Sequence, residues 1–137
     1  MIPSRLALLG LMLVACSDSP SVQIVLPAEG EILEEGSSVM VTLEVSGLTI
    51  ETAAGTTDPG TGHHHLIIGS TGSDPVLPVG GLPIPFFPGR VHLGEGQLEY
   101  EIEGLDAGEH VVIAVVGDGM HVPLYPWVVD TVRFVIE

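Results

Sequence analysis

The sequence predicts an all-β fold, an antiparallel immunoglobulin-like β-sandwich that carries a long flap rich in Pro and Gly. Three observations lead to this prediction. The 137 residues include 18 Gly and 11 Pro but only 4% aromatic residues, which indicates many short elements joined by turns. Apolar and polar residues alternate with a period of two in several segments. No stretch of the chain has a convincing helical periodicity.

Six segments are predicted to be strands. In residues 39–45 every second side chain is apolar, while Thr42 and Glu44 point the other way, as in a half-buried strand. Residues 110–116 are apolar on both faces, which is typical of an inner strand. The six segments are Val22 to Leu26, Val39 to Val45, His63 to Ile68, Gln97 to Glu103, His110 to Val116 and Val128 to Ile136. Strands at such short intervals predict one sandwich domain over residues 22–137.

The segment from Gly69 to Gly89 does not fit a minimal sandwich, because ten of its 21 residues are Gly or Pro. Structureless loops of this length are uncommon in compact domains. Phe86 and Phe87 lie in the segment, and disorder would expose both rings. We therefore expect an ordered flap that packs on the sandwich, with a linker without function as the alternative.

Residues 1–15 are predicted to be a lipoprotein signal peptide. Arg5 precedes an apolar run from Leu6 to Val14, which is too short to span a bilayer as a helix, since a span needs about 20 apolar residues. The run ends in Leu13-Val14-Ala15-Cys16, which resembles a bacterial lipobox, so Cys16 is the predicted lipidation site. Residues 16–21 would form a lipidated tether at the cell envelope, on a periplasmic or outer-membrane surface. A conventional signal peptide with a free Cys16 is the alternative.

The charge of the chain excludes one class of partner. Three Arg and no Lys stand against 18 acidic residues, and the formal net charge is −15. A nucleic-acid binder needs a basic surface to replace the counterions around phosphates, so no nucleic-acid partner is expected. A strongly acidic domain attracts cations instead. The single Cys also excludes an internal disulfide and any Cys-rich zinc or iron–sulfur site.

Six His residues carry the chemistry that the sequence offers. Without a thiolate, a site made of imidazoles suits Cu or Zn better than a hard cation such as Ca. Side chains alternate along a strand, so His63 and His65 should share one face while His64 points to the other with Leu66. All three therefore cannot bind one ion if the strand is regular.

Strand direction predicts which of the other His residues join this pair. In an antiparallel order with one returning segment between Gly69 and Val91, His92 and His121 come to the same pole as His63 and His65, with Asp118 nearby. His110 begins its strand about 20 Å away, at 3.3 Å per residue. The predicted metal ligands are thus His63, His65, His92, His121 and Asp118, with Met120 as a further soft donor. Hydrogen bonds from these His residues to loop carbonyls, and a turn role for Asp118, are the alternatives.

A non-catalytic interaction module is the second hypothesis for function. Phe86 and Phe87 in the flap, with Tyr125 and Trp127 beside Pro126, could present an apolar surface to an envelope protein or glycan, although packing of the two latter rings is an alternative. Enzymatic activity is not expected, because the chain has no Gly-x-Ser-x-Gly elbow, phosphate loop or His-Glu-x-x-His motif. Only metal-assisted chemistry at the His pole stays open.

Five short motifs occur in a recognisable order. They are Thr61-Gly62-His63-His64-His65-Leu66, Leu82-Pro83-Ile84-Pro85, His92-Leu93-Gly94-Glu95-Gly96-Gln97, Gly108-Glu109-His110, and Gly117-Asp118 with His121-Val122-Pro123. This order resembles the bacterial domain of unknown function 4399 family over roughly residues 59–137. The resemblance implies an exported protein and supports the choice of His residues, but it implies no reaction. Arg90 and Leu124 stand where many members of the family have further His residues.

Overall fold

The computed structural model describes residues 18–70 and 75–137, and these residues form strands, turns and loops without a helix. The predicted signal peptide and Cys16 lie outside the described residues. No helix that could cross a membrane is found in the described part of the chain. The nine strands are β1 (Ser21–Leu26), β2 (Ile32–Leu33), β3 (Val39–Ser46), β4 (Thr49–Ile50), β5 (Thr61–Ser70), β6 (Arg90–Leu93), β7 (Glu99–Ile102), β8 (Gly108–Gly117) and β9 (Val129–Ile136).

The strands form two sheets. One sheet has the order β1-β3-β7, and the other has the order β2-β9-β8-β5-β4, with β6 also paired to β5. The predicted all-β fold is confirmed, whereas the immunoglobulin-like arrangement stays a prediction. The pairings among the long strands are antiparallel, as predicted, but β2 runs parallel to β9 and β4 runs parallel to β5. Each of these parallel strands has only two residues, too few to leave a pattern in the sequence.

The main core lies between the two sheets. In β3, Val39, Val41 and Leu43 are buried while Met40 and Glu44 are exposed, so the predicted alternation places one apolar face inward. These residues pack against the inner faces of β5, β8 and β9, where Leu66, Val112 and Phe134 are among the buried side chains. Burial of such side chains is the dominant favourable contribution to folding.

A second, smaller cluster covers the outer face of the larger sheet. It consists of the buried residues Ile67, Ile84, Val111, Ile113 and Val115, with Trp127 and Val129 packed against it. Because this cluster buries the outer face of β8 as well, the central strand is covered on both sides, as its continuous apolar run predicts.

The flap supplies the cover for this outer face. Ile84 is buried, and its backbone N–H donates to the carbonyl of His121. The flap therefore packs on the sandwich, as expected for the part of it that the structure describes. The chain then continues into β6, which pairs antiparallel with β5 and is the returning segment on which the prediction about His92 depends.

Candidate metal centre

Four His side chains meet on the outer face of the larger sheet, at one end of β5. Alternation puts His63 and His65 on this face. His92 is brought there by β6, in which it pairs directly with His65. His121 comes from the loop after β8, whose end pairs with His63 through Gly117. These are four of the five metal ligands that the sequence predicts.

The four rings are close enough to share one ion. One ligand atom from each of His63, His65, His92 and His121 can be chosen so that all four atoms lie within 4.8 Å of one another. The ring centroids are 4.7 to 5.6 Å apart in all six pairs. Nitrogens bound to one tetrahedral zinc at about 2.0–2.1 Å would be about 3.3 Å apart, so the cluster needs only small shifts to close around an ion.

The contacts inside the cluster do not form a complete hydrogen-bond network. His63 Nε2 lies 3.0 Å from His65 Nε2 and 3.0 Å from His121 Nδ1. A neutral imidazole nitrogen carries either a proton or a lone pair, so His63 Nε2 cannot donate to one neighbour while it accepts from the other. His92 Nε2 is buried without a hydrogen-bond partner among the described residues. A metal ion satisfies converging lone pairs of this kind.

Burial favours the neutral form of three imidazoles of the cluster. The pKa of His63 is lowered to about 4 and that of His65 to about 3, mainly because burial penalises the charged ring and also because the other His residues of the cluster lie close by. Burial, followed by the effect of His121, lowers the pKa of His92 as well. Three of the four rings therefore keep a lone pair for a metal at pH values where an ordinary His is protonated.

The remaining ligand candidate, Asp118, shapes the loop. Its Oδ1 accepts the backbone N–H groups of Met120 and Val122 at 2.8 and 3.0 Å, and its carbonyl accepts the N–H of His121. This turn holds His121 at a φ of 65°, a left-handed conformation that is uncommon outside Gly. Asp118 is not one of the four residues that share ligand atoms within 4.8 Å. It acts on the site as a positioning residue.

The other two His residues are held apart from the cluster. His64 points into the sandwich, where its Nδ1 lies 3.2 Å from the carbonyl of Gln97, and burial lowers its pKa. His110 pairs with Ser70 at the far end of β5. Its Nε2 lies 2.8 Å from the carbonyl of Asp106. Both positions agree with the strand faces and directions inferred from the sequence.

Two glycines make room for the rings, and sequence reasoning did not single them out. A Cβ on Gly94 would lie 2.2 Å from Cε1 of His92, and a Cβ on Gly117 would lie 3.3 Å from Nε2 of His65. Gly94 could have been found from the sequence, because it follows His92 by two residues and so shares its face. Gly117 could not, because its neighbour is set by pairing across strands.

The four aromatic residues predicted to form an interaction surface divide into two groups. Tyr125, Phe86 and Phe87 are exposed by 90%, 74% and 52%. The ring of Phe86 also stands edge-on to His92 at 5.8 Å. Trp127 packs against the outer apolar cluster, so three of the four rings are available to a partner.

Comparison with known proteins places the chain in a family. The family model described as "Domain of unknown function (DUF4399)" matches residues 41–137, which is most of the chain. The chain belongs to the DUF4399 family. The match extends from β3 to the last strand, so the DUF4399 region includes all four clustered His residues and the flap.

One solved structure supports the β fold of this DUF4399 protein. An engineered protein from the Northeast Structural Genomics Consortium, crystallised and solved at 1.98 Å, is similar with a TM-score of 0.50 and 12% identity. The similarity covers 88% of this chain and 21% of that protein, so the chain spans about a fifth of its length. At this identity the likeness concerns the fold alone. A comparison with curated proteins finds no match.

Proposed function

We propose that this protein binds one transition metal ion, Cu(II) or Zn, through His63, His65, His92 and His121. The observation that carries the proposal is the convergence of four imidazole ligand atoms within 4.8 Å. Three or four ligands of this softness suffice for a first-row metal. An all-imidazole set brings no negative charge to the ion, whereas the net charge of −15 favours capture of cations by the whole domain.

The proposed setting is the cell envelope, with the domain anchored as a lipoprotein. The support for this part is the sequence Leu13-Val14-Ala15-Cys16 after an apolar run. Several acyl chains anchor a protein stably, whereas one chain gives only marginal binding. Changing Cys16 to Ser should leave an unlipidated precursor, and normal processing with retention on the membrane would contradict the anchor.

The proposed role is binding or buffering of metal, without catalysis. Glu99, Glu101 and Glu103 are exposed, so these paired acids lie on a solvated face. Ile84, Pro85 and Phe86 line a small cavity beside His65 and His92, and His63 and His65 are buried. Ligands that are partly shielded from water suit retention of an ion.

A metal titration tests the proposal. The Cys16→Ser chain, solubilised in mild detergent, removes the thiol as a competing ligand. Calorimetry with Cu(II) and with Zn should show one bound ion per chain. Changing His92 and His121 together to Ala should abolish this binding, because two of the four ligands are lost.

His110→Ala is the matched control for this titration. It removes a buried imidazole that lies opposite Ser70, at the other end of β5, so it should leave the metal affinity within about threefold of the unchanged chain. Equal losses for His110→Ala and the double variant, or heat no larger than that of a non-specific acidic protein, would contradict the proposal.

A second candidate function is supported by the flap surface. Residues 75–93 contain no Asp or Glu in a chain with 18 acidic residues, and Val79, Leu82, Phe86 and Phe87 are exposed there. Exposed apolar patches rimmed by polar surface mark interaction sites. An envelope protein is the partner that such a surface favours, and this function gains weight if the metal titration fails.

A further inference from the structure

Arg90 stands next to the metal cluster with much of its guanidinium unpaired. It precedes His92 by two residues in β6, so the two side chains share a face. Its Cζ lies 4.4 Å from the centre of the Phe87 ring, and its Nη2 donates to the carbonyl of Val76 at 3.2 Å. Its Nε and Nη1 are buried and have no hydrogen-bond partner among the described residues.

A small cavity joins this guanidinium to the cluster. His65, His92 and Arg90 line it from the sheet, and Ile84, Pro85 and Phe86 line it from the flap. Its volume is about 10 Å³, close to the roughly 10–15 Å³ that a single water molecule requires. His92, whose Nε2 has no hydrogen-bond partner among the described residues, lines the same cavity. The cavity can therefore accept one small group that contacts both an imidazole-bound ion and a guanidinium.

The charges around the cavity favour binding of an anion. A divalent ion held by four neutral imidazoles keeps its full charge of +2, and Arg90 adds +1 beside it. No acidic residue occurs in residues 75–93. The charge of Asp118 acts on His63, whose pKa it raises against the larger lowering by burial, but the Oδ1 of Asp118 is committed to two backbone N–H groups. Buried charges are normally paired, so an anion is the counterpart that this place lacks.

We propose that the cavity binds a small inorganic anion, of the size of a halide, that Arg90 holds through an unpartnered guanidinium N–H while the anion ligates the metal ion. This inference rests on the proposed metal function. Guanidinium groups bind anions through charge-assisted hydrogen bonds, which are roughly twice as strong as neutral ones. Because binding free energies are reciprocal, the anion tightens metal binding as much as the metal tightens anion binding.

The test uses the Cys16→Ser chain in mild detergent, loaded with Cu(II) in chloride-free buffer, with azide as the probe. Azide bound to copper should give a ligand-to-metal charge-transfer band that saturates, and chloride should compete with it. Arg90→Met should weaken azide binding at least tenfold while copper affinity in chloride-free buffer stays equal or increases, since a neighbouring cation has been removed. Arg90→Lys, which keeps the charge but not the guanidinium geometry, should weaken azide binding less than Arg90→Met does.

Arg133→Met is the matched control, because Arg133 lies on β9 and pairs with Val111, away from the cluster. It should leave azide binding unchanged. Equal azide affinity in the unchanged chain and in Arg90→Met, or copper binding without any azide band, would overturn the anion site and leave the metal function standing. Failure of copper to bind would overturn both. Circular dichroism identifies a variant that does not fold. If Arg90→Met does not fold, Arg90→Gln replaces it, and azide binding as tight as in the unchanged chain would again overturn the anion site.

Discussion

The glycine two residues after His92 decides whether that imidazole can reach the cluster. Gly94 lies so close under the ring that an added Cβ would overlap Cε1 and Nε2, at 2.2 and 2.6 Å. Contacts below 3.0 Å force the side chain to move, and a ring that moves away from the cluster no longer offers its ligand atom. Because Gly94 has no side chain, it leaves room for the His92 ring to reach the cluster.

Gly94→Ala should lower metal affinity at least tenfold, because it displaces one of the four ligands while the strand pairing of β6 stays possible. Calorimetric titration measures the effect. Gly80→Ala is the control, since a Cβ there would meet only Trp127 at an ordinary distance of 3.6 Å, and it should bind metal as the unchanged chain does. Equal affinity for both variants would show that His92 does not depend on this space.

Single residues also show how far sequence reasoning reaches. The faces of His63, His64 and His65 follow from alternation alone, and the structure agrees with them. The conformation of His121 does not follow, because its positive φ is imposed by the hydrogen bonds of Asp118 and by Ile84. The Asp118 carboxylate accepts hydrogen bonds from the backbone of its own loop. Composition and spacing alone do not decide whether such an Asp is a metal ligand or a turn residue.

At the scale of elements, the flap contacts the loop that carries one residue of the His cluster. The N–H of Ile84 donates to the carbonyl of His121 at 2.8 Å, while the Ile84 side chain is buried in the outer cluster. Two attachments thus hold the middle of the flap, one to the core and one to a ligand-bearing loop. A substitution that weakens either attachment should therefore affect both the flap and the loop that carries His121.

Ile84→Ala should loosen the flap and speed proteolytic cleavage within residues 75–89, because it removes the buried anchor. Replacing a buried Ile by Ala typically costs about 2–5 kcal/mol, and a locally opening segment is exposed to protease without global unfolding. Bound metal should slow the cleavage by fixing His121. Limited proteolysis followed by mass spectrometry measures the rates.

Leu82→Ala provides the comparison, since Leu82 is 57% exposed only two residues away. Its cleavage rate should match that of the unchanged chain. If the two variants were cleaved equally fast, burial of Ile84 would not be what holds the flap.

Elements differ in how readily the sequence reveals them. Strands β3 and β8 were predicted nearly to the residue, because seven or more residues of alternating or continuous apolar character leave a clear pattern. Strands β2 and β4 were missed, because a two-residue strand has no period. The sequence predicts a returning segment between Gly69 and Val91 but not its bounds. Strand β6 lies at the end of this range, and its four residues follow a Pro-rich segment and are defined as a strand by pairing with β5.

At the scale of the whole molecule, the buried His residues make stability depend on pH. Folded His63 has a pKa of about 4 and folded His65 one of about 3, whereas an unfolded His has a pKa of about 6.5. Between these values the unfolded chain binds more protons, so stability is fully present above about pH 6.5 and falls as the pH decreases towards 4 and then 3.

For His63 alone, the loss of unfolding free energy between pH 7 and pH 4 should be about 3 kcal/mol, since one pKa unit corresponds to about 1.4 kcal/mol. Denaturant unfolding of the metal-free chain at several pH values measures it. His63→Gln should flatten this dependence, while a His110→Gln control should keep it. A metal-free chain whose stability stays level from pH 7 to pH 4 would contradict the buried neutral cluster.

The position of the start of β1 affects how a bound metal ion would be exchanged. Ser21, the first residue of β1, pairs with Ser46, the last residue of β3. After a short turn the chain enters β4, which pairs with Thr61 and Gly62, immediately before His63. The start of β1 and the His cluster thus lie at one end of the domain. With Cys16 lipidated as proposed, Asp18 follows the anchor by two residue steps, a reach of about 7 Å. The ion would then be held within a short distance of the bilayer. Membrane-bound proteins that donate or accept the metal diffuse in two dimensions there. Metal exchange would therefore depend on encounters in the plane of the membrane more than on the concentration of free metal in solution.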